Sequence, residues 1–361
     1  MRLIRRSFIT VLSGGVQLRY LCCRFCSRGY DGLSRNGHMD ILKFFFNYNY
    51  NCEGSMSFEP YKYAKVVLIK SLSDLHPGVG RGTEVVDLAI QRDGVGFPVI
   101  FSSSIKGSMK TALYHRRRDL TYLLGPDQTD EEKYSSPVAV MTSYIVSFPV
   151  RSLKGIYTNV TCPFLLKRFV KYLSMASVLN KKYSEIVEKV EKIANISEKF
   201  PATVGFMNKH VIDGLESAIL CEEVNISKNL IVEMNEMNVL RGLIGLDESE
   251  SLISLHDDDA KALMDRSLIR VARIRINREK KVVDEGPWTE EVIPVGTVFV
   301  TILLGYGKEY LEKCLKGEKF NELRNYLKNE EPLDVLLKEL KYLIIGGDET
   351  IGRGIVELIE V

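Results

Sequence analysis

The chain has 361 residues, 45% of them hydrophobic and 27% charged, with a formal net charge of +2. That length suits one large domain with insertions or two domains, and the apolar share suffices for a core. Near-neutrality excludes a histone-like polycation that binds by bulk phosphate neutralisation, yet leaves room for a local basic groove. No apolar run reaches the ~18 residues of a membrane-spanning helix, so no membrane partner is expected.

Residues 1–55 hold eight Arg or Lys against three Asp or Glu, and four of the seven cysteines. Arg5-Arg6-Ser7-Phe8 before Ile9–Leu12 has the form of a twin-arginine export signal, but the apolar stretch is short and Arg19 and Arg24 follow closely. Cys22, Cys23 and Cys26 could open a zinc site. No matching second pair lies nearby, and His38 and Cys52 fit poorly. The segment lacks sustained periodicity, and Asn47-Tyr48-Asn49-Tyr50-Asn51 has low complexity. It is therefore expected to be a disordered or untranslated extension, with translation starting at Met56 or Met39 and residues 56–361 forming a single domain. The scattered Cys162, Cys221 and Cys314 fit reduced thiols in a cytoplasmic protein.

In the body, Ala64–Leu72 predicts a β-strand rich in Val, Ile and Leu. A glycine-studded turn, His76–Gly82, and a short run over Val85–Ile90 come next. Ser102–Ser104 offers N-caps to a helix reaching about Arg118, with Lys106 in its first turn. Val138–Val150 predicts a second strand. From Pro163 to Ile196 the pattern turns helical. Residues 205–245 are mixed, with Met207, Met234 and Met237 and short β-like runs. A short helix is predicted over Asp257–Arg266. Strands follow at Leu268–Ile276 and Val292–Leu304, around a loop containing Asn277, Gly286 and Trp288. Helical stretches near 307–316 and 333–341 precede a terminal glycine loop and the strand Ile355–Val361. This order suits an α+β domain, with a ferredoxin-like or RNA-recognition-like sheet carrying inserted subdomains.

Three loops could hold phosphate. Gly78, Gly80 and Gly82 imitate a dinucleotide fingerprint, but Val85-Val86-Asp87 follows in place of a helix, and no Walker lysine pattern exists. A nucleotide cofactor is not expected. Ser102-Ser103-Ser104-Ile105-Lys106-Gly107 brings hydroxyls, the free amides of a helix start and a lysine into one turn, which attracts anions. A serine-capped helix with a solvated lysine explains the same residues. The segment 346–354 has four glycines in nine residues. Glycine lets another backbone approach closely, whether a nucleic acid or simply the final strand. His256-Asp257-Asp258-Asp259 tempts a metal assignment, but successive helical side chains diverge, and acidic residues at a helix start explain it.

These pieces resemble one family in order. The run His76–Arg92 (HPGVGRGTEVVDLAIQR), then Gly96–Ile100 and Ser103–Gly107, resembles the opening of subunit four of the Cmr family, in the RAMP superfamily. Phe148–Gly155, Val271–Asn277 and Gly346–Gly354 resemble later blocks, the last being the glycine-rich signature that closes RAMP proteins. The resemblance implies a RAMP fold: an RNA-recognition-like palm, helical insertions (about 163–200) and a protruding thumb (about 205–245). It implies the guide-binding backbone subunit of a type III-B CRISPR effector, stacked with copies of itself and other Cmr-type subunits along CRISPR RNA. Target single-stranded RNA is then cut at regular intervals, with a divalent metal, Mg2+, in support.

By the same resemblance Asp87 falls on the catalytic aspartate, where it could position a metal or help deprotonate a ribose 2′-hydroxyl. His76 is placed to assist or merely to fix its turn. Glu290 matches a carboxylate near that site, although Val292 stands where relatives can carry tyrosine. Lys106, with Ser103, Ser104 and Gly107, matches the guide-backbone contact. Arg151, Lys154, Arg353, Gly347 and Gly352 are RNA-binding candidates from the other blocks. A non-catalytic guide-binding scaffold and a stand-alone guide-processing RAMP endonuclease are the competing readings.

Overall fold

Strand Tyr61–Ser71 (β1) alternates two apolar sets, and the structure buries both. Val67 and Ile69 join one core cluster, while Ala64, Val66 and Leu68 join another on the opposite face. A strand covered on both sides reads as a near-continuous apolar run, as this one does. The computed structural model describes residues 58–81, 86–127, 130, 133–205 and 209–361. All belong to the second of two units, Met56–Val361. The readings of residues 1–55, including export and zinc, and of Met207 lie outside the described residues.

After β1 come β2 (Gly78–Arg81), β3 (Leu88–Ile90), β4 (Val99–Ile100) and helix α1 (Ser102–Arg116). Next are β5 (Val138–Val140), β6 (Ser143–Ser152), β7 (Ile156–Thr161), α2 (Pro163–Ser177) and α3 (Lys182–Ser197). The middle holds β8 (Ala202–Val204), β9 (Ser217–Leu220), β10 (Val224–Ser227), β11 (Ile231–Glu233), α4 (Glu236–Leu243), β12 (Leu252–Leu255) and α5 (Asp257–Ser267). The chain ends with β13 (Ile269–Ile276), β14 (Val283–Val292), β15 (Val298–Tyr306), α6 (Lys308–Cys314), α7 (Asn321–Leu327), α8 (Pro332–Glu339), β16 (Tyr342–Ile344) and β17 (Ile355–Glu360).

Within a 13-stranded sheet, β6, β15, β1 and β17 lie side by side. Each neighbouring pair is antiparallel. Helix α1 intervenes between β1 and β6, and α6–α8 between β15 and β17. This is the β-α-β-β-α-β order of a ferredoxin-like sheet. Residues of α1 and α8 join the first cluster, and those of α2, α3 and α4 the second. Both faces of the palm are thus covered by helices. The second sheet, β13-β14-β3-β2, stands apart from that core.

Several boundaries differ from expectation. The strand read over 138–150 is two strands, and α7 was not foreseen. The N-cap of α1 is Phe101, without a side-chain capping bond, so the serines lie inside the first turn. The segment 277–292, read as a loop, is mostly β14, paired with β13. Pro287 falls where the register slips between Arg273 and Arg275, a point that needs no ladder donor. Within the described part of 205–245, β11 pairs β8, β9 contacts β6, and Met237 and Leu240 are buried, while Leu215 and Leu230 are exposed. The β13–β14 hairpin exposes Ile274, Ile276 and Val283, as the β6–β7 turn exposes Leu153, Ile156 and Tyr157.

Where β17 runs out, the Val66 N–H of β1 donates to the Tyr183 hydroxyl of α3 at 2.9 Å in a buried setting. Tyr183→Phe would leave that amide without a partner. It is expected to cost about 1–3 kcal/mol, read from urea unfolding, whereas truncating an exposed tyrosine such as Tyr114 leaves the midpoint unchanged.

Candidate active site

A cavity of about 580 Å³ opens on the second sheet, lined by Asp87, Leu88, Arg273, Glu285, Gly286, Trp288, Glu290 and Asp348. Three distant pieces of chain therefore meet there: the start of β3, the β13–β14 hairpin and the C-terminal glycine loop.

Asp87 is fixed to β14. Its Oδ2 accepts from the Thr289 amide at 2.7 Å and from Thr289 Oγ1 at 2.9 Å. Its own N–H donates to Thr289 Oγ1 at 3.2 Å. Asp87 is exposed, so the carboxylate is aimed by these bonds while remaining within reach of solvent.

Glu290 has the opposite character. It is 1% exposed, and receives Arg273 Nη1 at 2.6 Å, Arg353 Nη1 at 2.6 Å and the Trp288 indole N–H at 3.0 Å. Burial works against its charge, but donation from Trp288, Arg353 and Arg273 outweighs this and holds the carboxyl down at about 2. Asp348, in the left-handed conformation at φ 64°, takes the same arginines at 3.2 Å and 2.6 Å. Two carboxylates and two guanidiniums thus form a closed, charge-balanced cluster under the cavity. Glu290, expected beside Asp87 as a catalytic group, has both oxygens occupied and a lowered proton affinity, so it anchors the cluster.

His76 does not line this cavity. It is buried, with Nδ1 2.7 Å from the Glu291 carbonyl, which makes Nδ1 the donor. Nε2 lies 2.8 Å from where a Cβ on Gly78 would stand. The His76 carbonyl accepts from Gly78 and from Gly347. A Cβ on Gly346, at φ +95°, would fall 2.4 Å from that oxygen, so glycine is required there. His76 therefore fixes its turn and docks the C-terminal loop. Gly352 lies in the same loop, at φ +83° and facing open space.

The helix α1 group does not line the cavity either. Gln91, which sequence reasoning passed over, joins it to the first loop: its amide donates to Ser104 Oγ and the Gly78 carbonyl and accepts from Phe101 N–H at 2.6 Å. Ser103 and Gly107 are exposed. Lys106 donates to Ser136 Oγ at 2.8 Å and the Val138 carbonyl at 3.4 Å, both neutral. Burial and the Lys110 charge lower its proton affinity. Arg151 and Lys154 stand elsewhere, paired with Glu222 and Asp213 at the β6–β7 turn. The acidic run opening α5 makes a capping contact, Asp257 accepting from the Phe164 N–H of α2 at 2.9 Å.

A family model described as the RAMP superfamily matches residues 68–357. The chain is 30% identical over 329 residues to the CRISPR system CMR subunit Cmr4 of Saccharolobus solfataricus, covering 82% of this chain and 96% of that protein. It is also 30% identical over 313 residues to the Cmr endoribonuclease Cmr4 of Pyrococcus furiosus, covering 82% and 95%. The chain belongs to the RAMP superfamily and, within it, to the Cmr4 family. Among solved structures it resembles a chain of the type III-B Cmr-beta complex bound to cognate target RNA, with a TM-score of 0.66, 30% identity and coverage of 83% and 98%. Oligomeric Cmr4 from Pyrococcus furiosus shares the fold at a TM-score of 0.54 and 24% identity, over 82% and 98% of the two chains.

A carboxyl whose folded pKa is depressed stabilises the fold above its unfolded value, 4.5, and loses that contribution as pH falls through about 2. Glu290→Gln is expected to cost on the order of 3 kcal/mol at pH 7, because it removes a buried charge from its pairing with two partly buried guanidiniums. The gap from wild type should narrow between about pH 4.5 and pH 2; a gap constant across that window in denaturant titrations would contradict the anchoring role.

Proposed function

We propose that this chain is a CRISPR RNA-binding backbone subunit of a type III-B effector complex, and that it cleaves guide-complementary target RNA at the cavity beside Asp87. The observation that carries this reading is the contrast between two carboxylates on adjoining strands. Asp87 is aimed and solvent-accessible, whereas Glu290 is sealed beneath paired arginines. The endoribonuclease named among its relatives supports the same reading.

Both palm faces are packed, so RNA would lie along the loops and the second sheet. Guide phosphates would take the amides opening α1 and the Lys106 ammonium, whose described partners are neutral and leave its charge available. At the cavity, Asp87 would accept the proton of a target ribose 2′-hydroxyl as that oxygen attacks the adjoining phosphorus. Arg273 would stabilise the charge building on the phosphate oxygens. The 5′-oxygen leaves and takes a proton from water, giving a cyclic phosphate and a free 5′-hydroxyl.

Among the described residues no three His, Cys, Asp or Glu side chains converge as metal ligands. Two of the cavity carboxylates, Glu290 and Asp348, are already neutralised by arginine. The donor set does not fit a resident ion, and no step above passes through one. Mg2+ typically rests on one or two carboxylates and substrate phosphates. Any Mg2+ dependence would therefore enter with the RNA. The partners of this reading are CRISPR RNA, single-stranded target RNA, other copies of this chain and other Cmr-type subunits, in the cytoplasm. A non-catalytic scaffold is the second reading, favoured by the two Thr289 bonds that already occupy Asp87 Oδ2.

Asp87→Asn in the reconstituted complex, with matched guide loading, should lower cleavage by about 10²–10⁴-fold while target binding persists. Omitting Mg2+ in the wild-type complex tests the metal separately. Undiminished cutting by the variant would establish the scaffold reading.

A further inference from the structure

The cavity contains more than the attack chemistry requires. Its wall carries Trp288, the one tryptophan in the chain. The indole is held by its N–H on Glu290, and Arg273 lies over the ring at 5.7 Å from the centroid. Gly286 makes room for this arrangement: at φ +104°, a Cβ there would meet the Arg273 carbonyl at 2.9 Å and Trp288 Cε3 at 3.1 Å. The ring is thus oriented from below by a buried carboxylate and from the side by a glycine.

We propose that this wall is a nucleotide subsite, in which Trp288 stacks one unpaired base of the target strand while Arg273 meets that nucleotide's phosphate. The proposal rests on the cleavage reading for which strand enters, but its chemistry stands on the wall itself. A volume of about 580 Å³ suits a single nucleotide and not a paired duplex. Electrostatics favour stacking as the main attraction. Glu290 and Asp348 balance Arg273 and Arg353, and Glu285 is paired with Arg275, so the lining has no excess of positive charge to capture a bare phosphate. Aromatic stacking is sequence-tolerant, since every base has a π-face. Such a subsite would hold a nucleotide splayed out of a duplex, which is the geometry that in-line attack on its phosphate requires.

Because Trp288 is the sole tryptophan, its emission reports on the site directly in the full chain. The probes are short single-stranded oligonucleotides with 2′-fluoro sugars, which lack the attacking hydroxyl and so separate this test from cleavage. Matched abasic oligonucleotides and inorganic phosphate serve as controls. The base-bearing strands are expected to quench emission with weak salt dependence, and the controls to leave it unchanged. Trp288→Leu should weaken target binding by about 5- to 150-fold, the range of one lost stacking contact, while Trp288→Phe, which keeps a ring, retains most of it. Circular dichroism matched to wild type selects folded variants. Equal quenching by abasic strands or phosphate would show an anion site only and overturn the proposal. So would unchanged affinity in Trp288→Leu. Loss of cleavage in Asp87→Asn with quenching preserved would support both readings separately; persistent cleavage there would remove the nuclease reading alone.

Discussion

Glu290 carries a negative charge to a place solvent scarcely reaches, and the site's architecture follows from how that charge is satisfied. Two of its three donors, Arg273 and Trp288, belong to its own hairpin, and the third, Arg353, comes from the closing glycine loop. Taking such a charge out of water costs several kcal/mol unless geometry and hydrogen bonds offset it. Here the Arg353 contact also ties the hairpin to the closing loop. Asp348 completes the arrangement by sharing both arginines, so neither guanidinium turns away without leaving a carboxylate exposed to that cost.

From this anchor the placement of the working groups is nearly forced. Glu290 fixes the adjoining Thr289 on β14, and Thr289 aims Asp87. On the other side, Glu291 accepts Arg92 through its side chain and engages His76 through its carbonyl. His76 in turn accepts Gly347. Consecutive residues 289, 290 and 291 thus address the Asp87 loop, the charge cluster and the C-terminal loop respectively. Gln91 extends the same connection to α1, placing the proposed guide contact and the proposed cutting site on one rigid frame.

Much of the palm was legible in the sequence because its signals are local. The apolar run of β1, the helical periodicity of 163–196 and the strand of 298–306 announce themselves within a few residues. The order β6-β15-β1-β17 then realises the expected ferredoxin-like sheet. The hairpin was less legible. Gly286 and Pro287 are ordinary loop signals, and only pairing with β13 and the register slip beside Arg273 make room for them in a strand. Asp87 and Arg353 were found through resemblance, with positions the structure now supplies. Glu290 was found the same way, and its burial and three donors, which no local signal announces, place it within the charge cluster. Arg273 and Trp288 were missed as site residues although both lay in quoted stretches. An arginine alternating with apolar residues on a strand looks like a solvated face, and its partners lie 17 and 75 residues away.

The central claim is that one ion cluster fastens the hairpin and the closing loop together. Amide hydrogen exchange in Arg353→Met, compared with wild type, addresses it most directly. The account predicts faster exchange in both 269–292 and 346–354, rising together, with α2 and α3 unchanged. Faster exchange confined to 346–354, with the hairpin as protected as before, would show that the two segments are held independently and would contradict it.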